Sequence, residues 1–324
     1  MRFGTVDLAE AKGGVLSHSI ALPEGRLRKG AVLDAAALAA LAAAGFRSVT
    51  VARLDAGDLL ENDAATLVAE AVTGPGLEIR PAFTGRANIH ATAAGVVAVN
   101  RAAVDAVNAI TPDVTLATLP EWQRVAAGTM VATVKIIPYA TPGDGLAARL
   151  AGRAGALSLR TPVVAHADLV VTRREDDAAP KLGPIRDRLA RLGVELAVRE
   201  VPHTAADLAA ALAEGTAPLR LVLTATATAD VADVGPSALR AAGGRLERFG
   251  MPVDPGNLLF LGSLGEATVI GLPGCAKSPA LNGADWILER VVCGVPVTGA
   301  DIAAMGVGGL LKEIPTRPQP RERR

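Results

Sequence analysis

Aromatic residues are scarce in this chain: Phe, Trp and Tyr make up 2% of 324 residues, although 50% of the sequence is hydrophobic. A core for a chain of this length has to be filled with Ala, Val, Leu and Ile, which suits helices packed on a parallel sheet. Cysteine is nearly absent. Cys275 and Cys293 are too few for a disulfide framework and fit a reducing compartment. Net charge is missing too, because 33 basic residues balance 33 acidic ones. A dedicated nucleic-acid binder carries a basic excess, so no nucleic-acid partner is expected. No apolar run reaches the ~18 residues that suggest a membrane span. The opening residues lack the basic head and apolar stretch of a secretion signal. These absences predict a cytoplasmic protein without a membrane partner.

What is present changes character along the chain. The length suits two domains. Residues 1–150 read as a mixed α+β domain, with Asp34 as the N-cap of an Ala-rich helix stopped at Gly45. The stretch 129–139, TMVATVKIIPY, is β-branched and alternating, the pattern of a strand. A Gly/Ala/Arg-rich connection over 141–160 places the boundary. Residues 151–313 then alternate apolar strands (163–171, 194–201, 219–223, 268–272) with helices (185–192, 205–213, 236–242, 278–293). That order predicts an α/β fold: a three-layer, doubly wound, mostly parallel sheet preceded by the α+β domain. Residues 314–324, rich in Pro and Arg, read as a flexible tail.

In an open parallel sheet, ligands bind beyond the carboxyl ends of the strands. Here those ends carry Arg173, Arg174, Glu175 and Asp176; then His203; then Thr224, Thr226, Thr228, Asp230 and Asp233; then Pro273, Gly274, Cys275, Lys277 and Ser278. The last loop reads as a strand, a Pro-Gly turn and a helix start. A helix N-terminus there favours an anion such as phosphate, with Lys277 adding charge and Ser278 a hydroxyl. The same letters describe an ordinary turn with Ser278 as N-cap. Asp230 and Asp233 have the spacing of carboxylates that hold a hard cation and equally that of a cap followed by a first-turn acid. Cys275 reads either as a packing residue or as a thiol activated beside the anion site. His18 and His166 lie in apolar stretches and read as structural. Arg86, in Gly85-Arg86-Ala87-Asn88, reads as a phosphate grip or a structural ion pair.

The run Gly250-Met-Pro-Val-Asp-Pro255-Gly256-Asn-Leu-Leu259, followed by Val269-Ile-Gly-Leu-Pro273-Gly274-Cys275-Ala-Lys277-Ser278-Pro279, resembles the molybdopterin-binding domain of the molybdopterin molybdenumtransferase family. The opening Gly14-Val-Leu-Ser-His-Ser-Ile20, Arg28-Lys29-Gly30 and Leu33 is similar to that family's opening. Further matches, Asn282-Gly283, Asp285-Trp286 and the run from Met305 to Leu311, resemble a divergent subgroup sometimes fused to a nucleotidyltransferase. The resemblance implies a molybdenum cofactor biosynthesis protein that binds molybdopterin or its adenylylated form, with Mg²⁺ and molybdate, as a homo-oligomer. It places pterin and phosphate contacts on Thr224, Thr226, Thr228, Pro255, Gly256, Pro273, Gly274, Cys275, Lys277 and Ser278. It places catalysis on Asp230 and Asp233, and the metal on Asp230 with Glu175. The chain departs from the family at the third loop. Thr-Gly-Gly-x-Ser-x-Gly is replaced by Thr224-Ala-Thr-Ala-Thr-Ala-Asp230, which lacks the glycines that admit phosphate close to the backbone. That departure sets up the alternative, a non-catalytic carrier that hands the pterin cofactor to a partner nucleotidyltransferase.

Overall fold

A computed structural model of the chain describes residues 1–254 and 256–311. The chain divides into two compact units, one of residues 1–93 and 97–159, the other of residues 94–96 and 160 onward. The tail expected over 314–324 lies outside the described residues.

The first unit mixes antiparallel sheets with helices. Arg2–Asp7, Ser48–Arg53 and Val15–Leu16 form a three-stranded antiparallel sheet. Beside it runs the helix Ala35–Ala43, whose N-cap Asp34 accepts from the Ala37 amide at 2.8 Å. That bond satisfies one of the orphan N–H groups of the first turn. Leu16, Leu33, Leu41, Val49 and Val51 fill a small core between these elements. A second antiparallel sheet runs Val114–Thr118, Met130–Ile136, Arg86–Ala91 and Leu77–Ile79 in spatial order. The helix Glu61–Val72 packs Ala65, Val68 and Val72 into a core shared with Ile89, Val134 and Ile136. Residues 86–91 look polar in the sequence, yet Ala87, Ile89 and Ala91 are buried at every second position. Arg86 faces solvent on the alternate side, as the two-residue period of a strand requires.

The second unit is a mixed α/β structure built on one six-stranded sheet. Its strands are β1 (His166–Arg173), β2 (Glu195–Pro202), β3 (Leu219–Leu223), β4 (Arg245–Met251), β5 (Asn257–Leu264) and β6 (Ala267–Gly271). Their spatial order is β2-β1-β3-β6-β5-β4. β2, β1, β3 and β6 are mutually parallel, β5 is antiparallel to β6, and β4 is antiparallel to β5. The parallel block matches the strands expected at 163–171, 194–201, 219–223 and 268–272. β4 and β5 were not foreseen: β4, RLERFGM, carries charge where an apolar strand would be sought.

The helices are α1 (Gly183–Ala190), α2 (Ala205–Glu214), α3 (Val234–Ala241), α4 (Gly283–Val292) and α5 (Gly299–Ala303). Leu208, Leu212, Ala238 and Leu239 of α2 and α3 meet Val170, Val222, Val269 and Phe260 of the sheet in one core. Phe260, 1% exposed, is the bulkiest fully buried side chain among the described residues. It fits because its neighbours are glycines. A Cβ at Gly271 would lie 1.9 Å from Phe260 Cε1, and one at Gly235 would lie 2.8 Å from the same atom.

One expected helix starts elsewhere. The sequence predicts a helix over 278–293 with Ser278 as its cap, but α4 begins at Gly283. The buried Asn282 is its N-cap, accepting from Ala284 N at 2.9 Å, while Asp285 Oδ2 accepts from Asn282 N at 2.8 Å. This reciprocal capping box is a stronger start signal than a lone serine. Residues Gly274–Lys277 form only a short 3₁₀ turn. The helix N-terminus invoked for an anion at 274–278 is therefore displaced beyond that loop.

Candidate functional site

The strand order fixes where a ligand fits. The chain leaves β1 for β2 on one side and returns to β3 on the other, so the order reverses at β1. Loops diverge at such a switch point and leave a crevice beyond the carboxyl ends of the two central strands. Two connected hollows lie there. One, of about 160 Å³, is lined by Thr172, Arg173, Asp177, Thr224, Ala225 and Lys277 among others. The other, of about 70 Å³, is lined by residues that include Thr226, Thr228, Leu258, Pro273 and Gly274. They share Leu223, Thr224, Ala225 and Lys277. A larger hollow of about 480 Å³ sits at the opposite rim of the sheet, around Arg245, Ser263 and Thr268. The switch point belongs to the smaller pair.

Lys277 is the cation of the crevice. It ends the 3₁₀ turn and is half-buried. Among the described residues no carboxylate lies within ion-pairing distance of it. The turn itself is held from below by Arg188 of α1. One guanidinium nitrogen donates to Ala276 O at 2.9 Å, and another donates to Ser278 O at 2.8 Å and Ala280 O at 2.9 Å. Arg188 also forms an ion pair with Asp285, the same carboxylate that completes the α4 capping box; the two side chains are 10% and 6% exposed. Ser278 thus contributes its carbonyl to the clamp and its Oγ to the Ala280 amide at 3.2 Å.

The third loop is a network of hydroxyls. The His203 ring links three strand ends: Nδ1 lies 2.8 Å from Thr172 Oγ1 and Nε2 lies 3.1 Å from Thr226 Oγ1. Thr172 Oγ1 also accepts from Ala225 N at 2.9 Å. Thr224 Oγ1 donates to Thr226 O at 2.7 Å and lies 3.4 Å from Thr228 Oγ1. Thr224 and Thr228 are buried, whereas Thr226 is exposed on the crevice wall. In the sequence His203 stands alone at a strand end. Its partners Thr172 and Thr226 are distant in the sequence, so only strand pairing brings them together.

The acidic residues are placed differently from the threonines. Asp233 is the N-cap of α3: Oδ1 accepts from Val234 N at 2.7 Å and Oδ2 from Ala229 N at 3.0 Å. Those backbone donors hold its carboxyl below the usual carboxylate range. Asp230 Oδ1 accepts from Ala232 N at 2.7 Å. Neither aspartate lines either hollow. Glu175 and Asp176 are exposed on the first loop and do not line the crevice; the lining acid is Asp177. Asp177 is tied to Arg174 by an ion pair of 3.0 Å, and that contact lowers its pKa. No group of three or more His, Cys, Asp or Glu among the described residues is arranged to hold a metal ion. With both Asp233 oxygens turned to backbone amides, Asp230, Asp233 and Glu175 do not form a donor set that fits Mg²⁺.

The remaining expected residues divide. Pro273 and Gly274 line the crevice beside Lys277, while Cys275 and Ser278 do not. Gly256 occupies the β4–β5 turn at φ +81° and is exposed. Pro255 lies outside the described residues. His18 and His166, read as structural, are both exposed; His166 Nδ1 is 3.4 Å from Glu195. No helix among the described residues is long and apolar enough to cross a membrane.

A family model described as a domain of unknown function (DUF8806) matches residues 5–53, which belong to the first unit. Comparison with curated proteins gives no match. Among solved structures, the chain is similar to a molybdenum cofactor biosynthesis protein from Pyrococcus furiosus at 12% identity, with a TM-score of 0.26. That match covers 91% of this chain and 66% of the other, so this chain spans less than two thirds of that protein's length.

Proposed function

We propose that the second unit binds a phosphate-bearing pterin, molybdopterin or its adenylylated form, in molybdenum cofactor biosynthesis. The observation that carries the reading is Lys277, a half-buried cation at the switch-point crevice that forms no ion pair among the described residues. An ammonium placed this way gains most from an anionic ligand oxygen. The pterin identity rests on the sequence resemblance over 250–259 and 269–279. In this reading Lys277 holds the phosphate, Thr226 lends a hydroxyl, and Pro273-Gly274 forms the floor. Binding here is positioning and charge complementarity, with no side chain needed to move a proton.

A second reading, the non-catalytic carrier, is favoured by Asp233. Its carboxylate caps α3 instead of facing the crevice. A protein that holds the pterin for a partner nucleotidyltransferase needs the cation and hydroxyls but no catalytic acid. Molybdenum insertion belongs to the first reading alone, and a homo-oligomeric state is compatible with both.

Titration calorimetry with molybdopterin and its adenylylated form tests the common core of both. Charge-assisted hydrogen bonds contribute about 1.5–3 kcal/mol, so Lys277→Met is expected to weaken binding about ten- to hundredfold. Absence of binding to either form by the wild type would remove the pterin reading. Turnover of the adenylylated form with molybdate would favour the transferase over the carrier.

A further inference from the structure

The four crevice threonines are chemically unequal, because their hydroxyl protons are committed differently. Thr172, 1% exposed, sits at the end of β1, and its Oγ1 already accepts from the Ala225 amide. Its own proton needs an acceptor, since a buried donor left unpaired is costly. The acceptor in reach is His203 Nδ1 at 2.8 Å. A ring that accepts at Nδ1 carries its proton on Nε2, because neutral imidazole has one donor and one acceptor nitrogen. Nε2–H then donates to Thr226 Oγ1 at 3.1 Å. Thr226 Oγ1 is thereby an acceptor toward the histidine, and its own proton points elsewhere. Thr226 is exposed on the crevice wall.

Thr224 and Thr228 have no such proton to offer. Thr224 donates to Thr226 O at 2.7 Å, so the contact of 3.4 Å between Thr224 and Thr228 hydroxyls leaves Thr228 as its donor. Both protons are consumed in closing the loop.

We infer that Thr226 is the hydroxyl that donates to the ligand's oxyanion, its proton left uncommitted because it accepts from His203, which Thr172 holds in the Nε2–H tautomer. The inference deepens the proposed reading of this crevice and rests on it. The class selected is an acceptor-only oxygen, such as that of a phosphate monoester. A ligand group that can only donate finds no acceptor on the Lys277 ammonium and is disfavoured. His203 is a positioning residue that does not touch the ligand.

Two measurements test this on the full chain. Long-range ¹H–¹⁵N correlation spectra of the ligand-free protein report the His203 tautomer directly. The expected pattern is a protonated Nε2 and an acceptor Nδ1; the reverse tautomer would overturn the inference. Titration with inorganic phosphate, followed by loop amide shifts, reads the donor. Thr226→Val is expected to weaken phosphate binding about tenfold, and Thr226→Ser to restore it. Equal affinity in wild type and Thr226→Val, or no phosphate binding by the wild type, would also overturn it. Phosphate binding that depends on Thr226 in a protein that ignores molybdopterin would leave this inference standing and remove the pterin reading. Molybdopterin binding unaffected by Thr226→Val would do the opposite.

Discussion

Arg188 of α1 and Asp285 of α4, 97 residues apart in sequence, form a nearly buried ion pair that anchors the loop between them in space. The guanidinium gathers the carbonyls of Pro184, Ala276, Ser278 and Ala280, and the carboxylate caps the Asn282 amide. Neither charge is left with unused hydrogen-bonding capacity facing the core. That satisfaction is the condition under which a buried pair is tolerated. The pair therefore sets the shape of the turn that carries Lys277.

Removing one partner leaves the other buried and uncompensated. Arg188→Met or Asp285→Leu alone is expected to cost about 3–5 kcal/mol in chemical denaturation. The double variant Arg188→Met, Asp285→Leu should lose clearly less than the sum of the singles. Additive losses would show that the two side chains do not act as a unit.

Asp233 tests the capping role against a metal or catalytic one. Its carboxyl is held below the ordinary range by the Ala229 and Val234 amides. A group with a depressed folded pKa contributes stability that is fully present above its unfolded value. The contribution is lost as pH falls through the lower, folded value. Asp233→Ala should cost about 1 kcal/mol at neutral pH. The difference from wild type should shrink as acid protonates the carboxyl, when followed by urea melts across that range. A pH-independent difference would contradict the cap.

Gly271 should tolerate no side chain. A Cβ there meets Phe260 Cε1 at 1.9 Å, inside the packed face below α2 and α3. Gly271→Ala is expected to destabilise by about 1–3 kcal/mol or more through overpacking. Adding Phe260→Leu should recover part of the loss in thermal melts. No recovery would place the strain elsewhere.

Cys293 should be chemically silent in the native protein. It is 2% exposed, and burial pushes its thiol up to about 11. Since the thiolate is the reactive form, iodoacetamide at mildly alkaline pH should leave Cys293 unmodified until the protein is unfolded. Mass spectrometry of the labelled peptide reads the result. Native-state labelling at the unfolded rate would mean that this end of α4 opens readily.

Features encoded within a few residues were legible from the sequence. Asp34 and Thr204 cap the helices expected to follow them, because an N-cap bonds to amides within its own first turn. The parallel strands β1, β3 and β6 are short apolar runs buried in the sheet, and the edge strand β2 shows as an alternation of aliphatic and charged residues. β4 stayed hidden because its Arg245, Glu247 and Arg248 break the apolar pattern of an edge strand. Ser278 resembles a cap by residue type, but the Asn282–Asp285 box lies only slightly further on and supplies two reciprocal bonds. At the crevice, Thr224, Thr226, Lys277 and the Pro273-Gly274 turn were found from strand ends alone. The sequence places His203 on the rim without its partners, and nothing local marks Arg188, whose partners in the loop and α4 are 88 to 97 residues away.

The sequence by itself determined the α/β character, the aliphatic core and the rim on which polar side chains collect. Those properties follow from periodicity and capping, which act over a turn of helix or two residues of strand. Tertiary structure alone decided the rest. The β2-β1-β3-β6 order puts His203 between Thr172 and Thr226 and orients one hydroxyl outward. A hydrogen bond is directional and short-ranged, so which donor meets which acceptor is set only once the strands have taken their places.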